Sequence, residues 1–205
     1  MIRASKVYHC VDWLIDTARN DFTQFGEDGL IEAVFDRIGT TNRHCFEVGA
    51  NDGLMFSNTK RLRDLGGWRT VLIEADPKLY ESLRKLDDPP RTQTINAKVT
   101  PDNFDDILAS AGMPQVPDLG VIDIDGQDWW LWQGMTRCSP RVMLVEVTTG
   151  RNDDAIPELG APSGQAGADH IAALGERKGY DLLARTHCNQ LFVKRGGQPR
   201  KDDDA

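Results

Sequence analysis

Carboxylates follow several predicted strands of this sequence at the point where each strand ends. Glu47, Glu74, Asp123 and Glu146 each close an apolar run. In open α/β sheets, the carboxyl ends of the strands form the edge at which ligands bind. An acid in such a position can instead cap the next helix, and we expect Asp76 to do so. Several acids at one edge, however, favour a site that holds a cationic ligand or transfers a proton.

The loop after the first of these strands has the sequence EVGANDG, from Glu47 to Gly53. Its two glycines, Gly49 and Gly53, let the backbone approach a ligand, because a Cβ atom would intrude. The loop does not match G-x-G-x-x-G, and no Lys-Ser/Thr pair follows it. A pyrophosphate also requires exposed N–H groups without adjacent negative charge. The acidic loop therefore predicts a ligand with positive charge rather than a phosphate.

The elements that position these residues alternate between strand and helix. Apolar runs predict seven strands, at 44–50, 69–75, 92–99, 119–125, 141–148, 180–187 and 190–195. Helical patterns occupy 27–39, 57–67, 76–88, 100–112, 126–138 and 167–179. This alternation predicts βαβ units and a parallel sheet. Only Cys188 and Asn189 join the last two strands, so these should form a hairpin whose final strand is antiparallel.

Composition narrows the class of protein. The chain has 205 residues, enough for one domain with a sizeable core, and its net charge is −8. This acidity argues against a nucleic-acid partner, which a basic face would bind. We expect no membrane partner either, since no apolar run approaches the roughly 20 residues of a membrane helix.

The cysteines and the two ends of the chain predict the state of the thiols, the location of the protein and the bounds of its domain. The four cysteines are widely separated, which predicts reduced thiols. The N-terminus is too charged for a signal peptide, and together these features predict a cytoplasmic protein. We expect an N-terminal segment at 1–24 that covers the active site, one domain at 25–196 and a disordered tail at 197–205. The Gly- and Pro-rich segment 148–167 should be a loop at the carboxyl edge.

Two motifs resemble those of a known family. FEVGANDG, followed by VLIEAD, is similar to motifs I and II of class I S-adenosylmethionine-dependent methyltransferases. The stretches TQFGEDGLIEAVFDRIG, DLGVIDIDGQDWWLW, PRVMLVEV and ERKGYDLLARTHCNQLFVKR together resemble the FkbM-like subgroup, and the resemblance covers residues 22–195. It implies a Rossmann-like α/β fold with a seven-stranded, mostly parallel sheet and an antiparallel C-terminal strand. S-adenosylmethionine also meets the charge requirement, with its sulfonium, its α-amino group and two ribose hydroxyls.

The resemblance also implies a cofactor site. Glu74 would bind the ribose, the Asn96–Lys98 stretch would flank the adenine, and Asp123 would face the methionine part. Asn58 has an alternative role at the start of a helix. The implied cofactor-binding residues are Gln24, Asp28, Glu47, Gly49, Asn51, Gly53, Asn58, Glu74, Ala75, Asp76, Ala97, Lys98 and Asp123.

A hydroxyl acceptor needs a base or a metal at the reacting end. The candidate catalytic residues are Asp125, Glu146 and His170, the last of which has a surface or capping role as its alternative. Asp123, Asp125 and Glu146 also offer hard oxygen ligands that suit Mg²⁺. Related sugar methyltransferases carry paired aspartates where this chain has Glu146-Val147, so a metal-free base is an equal alternative.

The resemblance implies transfer of a methyl group to a small-molecule acceptor, chiefly to a hydroxyl of a sugar or natural product. Transfer to nitrogen or carbon is an alternative. A further alternative is a module that binds S-adenosylmethionine without turnover. The sequence leaves the oligomeric state open, with a homo-oligomer among the options.

Overall fold

An eight-stranded, mostly parallel sheet runs through the centre of the computed structural model, which describes residues 7–147, 155–161 and 164–196. The expected tail at 197–205 and much of the loop at 148–167 lie outside the described residues, as do residues 1–6. The strands are β1 His9–Cys10, β2 His44–Val48, β3 Arg69–Glu74, β4 Thr92–Asn96, β5 Leu119–Ile122, β6 Val142–Glu146, β7 Tyr180–Arg185 and β8 Asn189–Lys194.

Six α-helices connect the strands at the places the apolar patterns indicate. Their bounds are α1 Glu27–Ile38, α2 Lys60–Leu65, α3 Pro77–Leu83, α4 Phe104–Ser110, α5 Asp128–Gly134 and α6 Ala168–Arg177. Several begin later than predicted, because side chains in the preceding loop bind the backbone in another conformation. For example, α2 starts at Lys60 since Ser57, Asn58 and Thr59 all donate hydrogen bonds to Glu47.

The strand order is β1-β7-β8-β6-β5-β2-β3-β4. As predicted, β7 and β8 form a hairpin, and β8 is antiparallel to both β6 and β7. The prediction of seven strands missed β1, which pairs antiparallel with β7 through His9 and Cys10. A strand of two residues has no period-two pattern, so apolar alternation could not reveal it.

Buried apolar clusters cover both faces of the sheet. On one face, Val121 of β5 and Leu144 of β6 pack with α1. On the other face, a larger cluster joins the strands to α4, α5 and α6. Because side chains alternate along a strand, the residues two positions beyond Val121 and Leu144 point to the α1 side. Those residues are Asp123 and Glu146, so both carboxylates reach the carboxyl edge near the start of α1.

Candidate active site

The loop between β2 and α2 is held by a buried carboxylate and an arginine. Glu47 accepts hydrogen bonds from Ser57 Oγ at 2.7 Å, from Thr59 Oγ1 at 2.6 Å and from the Asn58 backbone N–H at 2.7 Å. Arg63 donates to the Gly53 carbonyl oxygen and, at 3.2 Å, to Ser57 Oγ. Glu47 therefore fixes the shape of the loop, and Asn58, itself buried, lies at the fixed end.

The two glycines of this loop have a role within the protein itself, besides the expected close approach of the backbone to a ligand. A Cβ atom on Gly49 would lie 1.7 Å from the Asp123 carbonyl oxygen. One on Gly53 would lie 2.7 Å from the side chains of Leu83 and Leu86. Both residues also have positive φ, +80° and +70°. The missing side chains thus make room for the protein itself, at the point where β2 and β5 lie side by side.

We expect Gly49→Ala to destabilise the fold by about 2–4 kcal/mol, from positive-φ strain and the clash with the Asp123 backbone. Gly66→Ala is the matched control, because Gly66 has φ +77° and no atom within 4 Å of its Cβ position. It should lose only about 1–2 kcal/mol. Urea unfolding of both variants measures the difference, and equal losses would show that the close backbone approach at Gly49 does not exist.

Glu74 occupies the end of the neighbouring strand, β3, and is 8% exposed. One carboxylate oxygen accepts from the Asn51 N–H and the other from the Asp76 N–H, both at 2.8 Å. Each carboxylate oxygen has a second lone pair. Glu74 is therefore fixed between two loops and retains the capacity to accept from two ligand hydroxyls.

The residues expected near the adenine lie around Glu74. Asp76 caps α3 by accepting from the Lys78 N–H at 2.6 Å. The Ala97 N–H donates to the Glu74 carbonyl oxygen at 3.1 Å, which brings the end of β4 alongside. Ala75 and Lys98 are exposed at the same edge.

The N-terminal segment is fixed to the first turn of α1 by Asp28. One oxygen of this carboxylate accepts from three consecutive backbone N–H groups, those of residues 21–23, at 2.7–2.8 Å. Its other oxygen, Oδ1, is buried and has no hydrogen-bond partner among the described residues. Gln24 is exposed beside this turn. Asp28 thus shapes the segment and keeps one acceptor unused.

Asp123 and Glu146 come together at the ends of β5 and β6, one residue beyond the paired Ile122 and Val145. Their carboxyls are close enough for the charge of Glu146 to act on Asp123. Burial, followed by the charges of Glu146, Asp128 and Glu47, raises the pKa of Asp123 well above its usual value. Burial also raises the pKa of Glu146, and the hydrogen bond from the Asp125 N–H lowers it by a smaller amount. Both carboxyls are therefore harder to ionise than ordinary ones, and an ionised member of the pair can take up a proton.

The turn after β5 presents Asp125 in an unusual backbone conformation. Asp125 is exposed, has φ +57°, and its N–H donates to Glu146 Oε2 at 2.9 Å. The buried Asp128 holds this turn by accepting from the Ile124 and Gly126 N–H groups, both at 3.0 Å. Burial and the charge of Glu146 raise the pKa of Asp128 to about 8. Asp128 serves the turn, while Asp125 faces solvent beside the acidic pair.

The described residues do not support the magnesium site expected at Asp123, Asp125 and Glu146. Among them, no group of three His, Cys, Asp or Glu side chains is arranged to hold a metal ion. Asp125 contacts Glu146 through its backbone N–H.

Sequence reasoning missed a set of residues that the fold brings beside the acidic pair. Glu27, at the start of α1, accepts from Thr186 Oγ1 at 2.6 Å and from Asn189 Nδ2 at 3.3 Å. Cys188 adjoins them in the turn between β7 and β8. In the sequence, Glu27 resembles any acidic residue at the start of a helix. Its hydrogen-bond partners are 159 and 162 residues away in sequence. No local pattern reveals such pairing.

His170 and the described part of the long loop border the site more loosely. His170 is half-buried on the first turn of α6, and its N–H donates to the Gly167 carbonyl oxygen at 3.0 Å. Among the described residues, no hydrogen bond joins the His170 imidazole to Asp123 or Glu146. The loop is held to α5, because Gln127 Oε1 accepts from the Gly160 N–H at 2.9 Å and Trp130 donates to the Pro157 carbonyl oxygen at 2.8 Å.

This strand order, with the last strand inserted antiparallel between β6 and β7, is the fold of class I S-adenosylmethionine-dependent methyltransferases. A TehB-like SAM-dependent methyltransferase from Corynebacterium glutamicum ATCC 13032 Kitasato matches with a TM-score of 0.52 and 15% identity, over 89% of this chain and 92% of that chain. An O-methyltransferase family protein from Burkholderia thailandensis matches with a TM-score of 0.53 and 14% identity, over 82% and 58%. LepI, solved in complex with SAM, matches with a TM-score of 0.51 and 12% identity, over 88% and 51%.

At these identities the likeness concerns the fold. The chain spans 58% and 51% of the last two proteins. No protein-family model and no curated protein matches the sequence. Across the described ranges, none of the helices has the length and apolar character needed to cross a bilayer.

Proposed function

We propose that this chain is an S-adenosylmethionine-dependent methyltransferase that methylates a hydroxyl of a sugar or natural product. The observation that carries the proposal is the adjacent Asp123–Glu146 carboxyl pair beside the glycine loop, at the point in the sheet where β2 and β5 meet. The names of two similar structures, LepI with SAM and an O-methyltransferase family protein, support the cofactor and the acceptor atom. Membership of the FkbM-like subgroup and a cytoplasmic location are parts of the same proposal.

The residues present fit this cofactor. Glu74 keeps an acceptor position on each oxygen for the ribose hydroxyls, with one backbone N–H already holding each oxygen in place. The carboxylate of Asp123 suits a sulfonium or an ammonium, because opposite charges attract strongly in a partly buried site. Bound S-adenosylmethionine supplies a methyl carbon that the sulfonium already activates. The protein then has mainly to place the acceptor in line with it.

The Asp123–Glu146 pair supplies the proton acceptor. One carboxylate of the pair takes the proton of the acceptor hydroxyl as that oxygen forms its bond to the methyl carbon. Bound S-adenosylmethionine would give up its methyl group with the carbon–sulfur electron pair kept on sulfur. Because the two carboxyls are adjacent, the second would disperse the charge change, and the proton would leave to solvent past Asp125.

Calorimetry with S-adenosylmethionine, followed by a turnover assay on a panel of sugars, phenols and amines, tests the proposal. We expect micromolar cofactor binding and methyl transfer to oxygen. Absence of binding at millimolar cofactor would overturn the cofactor assignment and the enzyme together. Binding without transfer to any acceptor would favour a non-catalytic module, and a methylated nitrogen or carbon in the product would change the acceptor class only.

We expect Asp125→Asn to lower turnover roughly tenfold, which corresponds to about 1.4 kcal/mol in the barrier, and to lower cofactor affinity less. Asparagine tolerates positive φ as aspartate does, so the turn should persist and only the charge is lost. Steady-state kinetics and calorimetry on the same preparation measure the two effects. Equal losses of turnover and of cofactor affinity would instead show that Asp125 contributes to cofactor binding.

The rate of transfer should fall on acidification at a pH above the usual aspartate range of about 4. The pKa values of Asp123 and Glu146 are both raised, so the pair takes up protons at pH values where ordinary carboxyls are ionised. A base must be ionised, and activity is therefore lost as pH falls through the raised pKa. The pH profile of kcat, with circular dichroism to verify folding at each pH, measures this. A rate that stays constant down to about pH 4.5 would exclude the pair as the base.

A further inference from the structure

The turn between β7 and β8 lies directly beside the proposed base. Asn189 is the cross-strand partner of Glu146 in the antiparallel β6–β8 ladder. The Val147 N–H donates to the Cys188 carbonyl oxygen at 2.8 Å, which extends this pairing into the turn. The cofactor loops follow β2 and β3, on the other side of β5. The β6 and β8 side is therefore the side left for the acceptor.

A buried glutamate holds the turn in position. Glu27 is 0% exposed, and its Oε1 accepts from Thr186 and Asn189 while its Oε2 accepts from the Phe25 N–H at 2.8 Å. These bonds tie the β7–β8 turn to the start of α1. Because each group is buried and hydrogen-bonded, the turn is a fixed wall rather than a mobile loop.

The side chain of Asn189 keeps an unused acceptor within this wall. Its Nδ2 donates to Glu27 and to Cys188 Sγ, and the opposite amide orientation would place two oxygens against each other. Oδ1 is therefore the free atom. Asn189 is 3% exposed, and Oδ1 has no hydrogen-bond partner in the part of the chain that the structure describes. A buried acceptor without a partner is costly, so a ligand that donates to it gains affinity.

Cys188 shows how close the wall is to the acidic pair. Burial, and after it the negative charges of Glu27, Asp123 and Glu146, raise the pKa of its thiol. The thiol is therefore neutral and is not a nucleophile here. Since Cys188 is only partly buried, the wall can be reached from solvent.

We propose, on the basis of the proposed function, that the β7–β8 turn is the acceptor-binding wall and that Asn189 Oδ1 accepts a hydrogen bond from a second hydroxyl or an ammonium of the acceptor. Asp123, Glu146 and Asn189 Oδ1 all present acceptor atoms, so the preferred acceptor carries a donor besides the group that is methylated. Polyols, catechols and amino alcohols have this chemistry, whereas simple alcohols and phenols lack the second donor.

Matched pairs test this specificity: catechol against phenol, 2-aminophenol against phenol, and methyl glucoside against its deoxy analogue. Binding is measured by ligand-observed NMR on protein saturated with S-adenosylhomocysteine. The wild type should bind the member with the second donor about tenfold more tightly. Asn189→Leu, of similar volume, should remove this preference and leave S-adenosylhomocysteine affinity unchanged. Asn42→Leu is the control, since it makes the same change at an exposed asparagine bonded to the Val116 carbonyl oxygen, and it should retain the preference.

A second measurement needs no variant. The ligand-observed NMR titration of the wild type alone, with catechol against phenol in the S-adenosylhomocysteine complex, should already show the preference for the second donor.

A preference that survives Asn189→Leu, an equal loss of S-adenosylhomocysteine affinity, or no discrimination within any pair would overturn the inference. Failure of the wild type to bind S-adenosylhomocysteine would instead overturn the proposed function, so the two failures can be distinguished.

Discussion

Replacing Glu146 with glutamine should lower the rate of methyl transfer by about 100-fold or more, with little change in affinity for S-adenosylmethionine. Glutamine can still accept from the Asp125 N–H through its amide oxygen, so the turn after β5 is preserved. It cannot take up the proton of the acceptor hydroxyl. Steady-state kinetics at saturating cofactor, with calorimetry for affinity, measure both quantities.

Two comparisons make the Glu146 result interpretable. Glu81→Gln removes an exposed carboxylate at an i,i+3 ion pair on α3, and it should leave the rate unchanged. Asp123→Asn tests the other member of the pair, and it should cost a similar factor if the two carboxyls act together. A Glu146→Gln enzyme that retains at least half of the wild-type rate would contradict the base assignment.

Glu74→Ala should weaken S-adenosylmethionine binding by about tenfold or more, since each lost charge-assisted hydrogen bond is worth about 1.5–3 kcal/mol. The structure gives this substitution a second cost. Without the carboxylate, the Asn51 and Asp76 N–H groups lose their partners, and both loops at the ribose position are less well held. Calorimetry measures the affinity and urea unfolding measures the stability.

Asp64→Asn is the matched control for Glu74→Ala. The Asp64 side chain is 51% exposed in an i,i+4 ion pair with Lys60 on α2, so affinity should change little. Glu74→Gln should fall between the two, because its single amide oxygen can hold only one of the two loops. If Glu74→Ala unfolds at a lower urea concentration but binds the cofactor as tightly as the wild type, the acid is purely structural and the ribose lies elsewhere.

Much of the fold follows from sequence because its signals are local. The apolar runs that became β2, β3, β5 and β6 are buried on both faces of the sheet, so each is nearly continuous. The two-residue connection at Cys188 and Asn189 forces a hairpin by chain geometry alone. The same reasoning placed carboxylates at one edge, because parallel strands end at the same edge of a sheet.

What the sequence did not reveal depends on contacts between distant residues or on the exact path of the backbone. The partners of Glu27 lie more than 150 residues away, so its role could not be predicted from neighbouring positions. The expected metal site finds no support in the described residues, where Asp125 contacts Glu146 through its backbone N–H, a contact that residue types alone do not predict. Gly49 was correctly singled out, yet the atom that excludes a side chain there belongs to Asp123, which is visible only in three dimensions.

The insertion of β8 between β6 and β7 has a consequence for biosynthesis. The chain emerges from the ribosome with β6 and β7 already made but with no strand between them, and the edge of β6 stays unpaired until β8 follows. Asn189, the partner of Glu146, belongs to that last strand. A nascent chain can therefore assemble the half of the sheet that includes Glu74 before the wall beside the acidic pair exists. A chain arrested before β8 exposes a strand edge that favours aggregation.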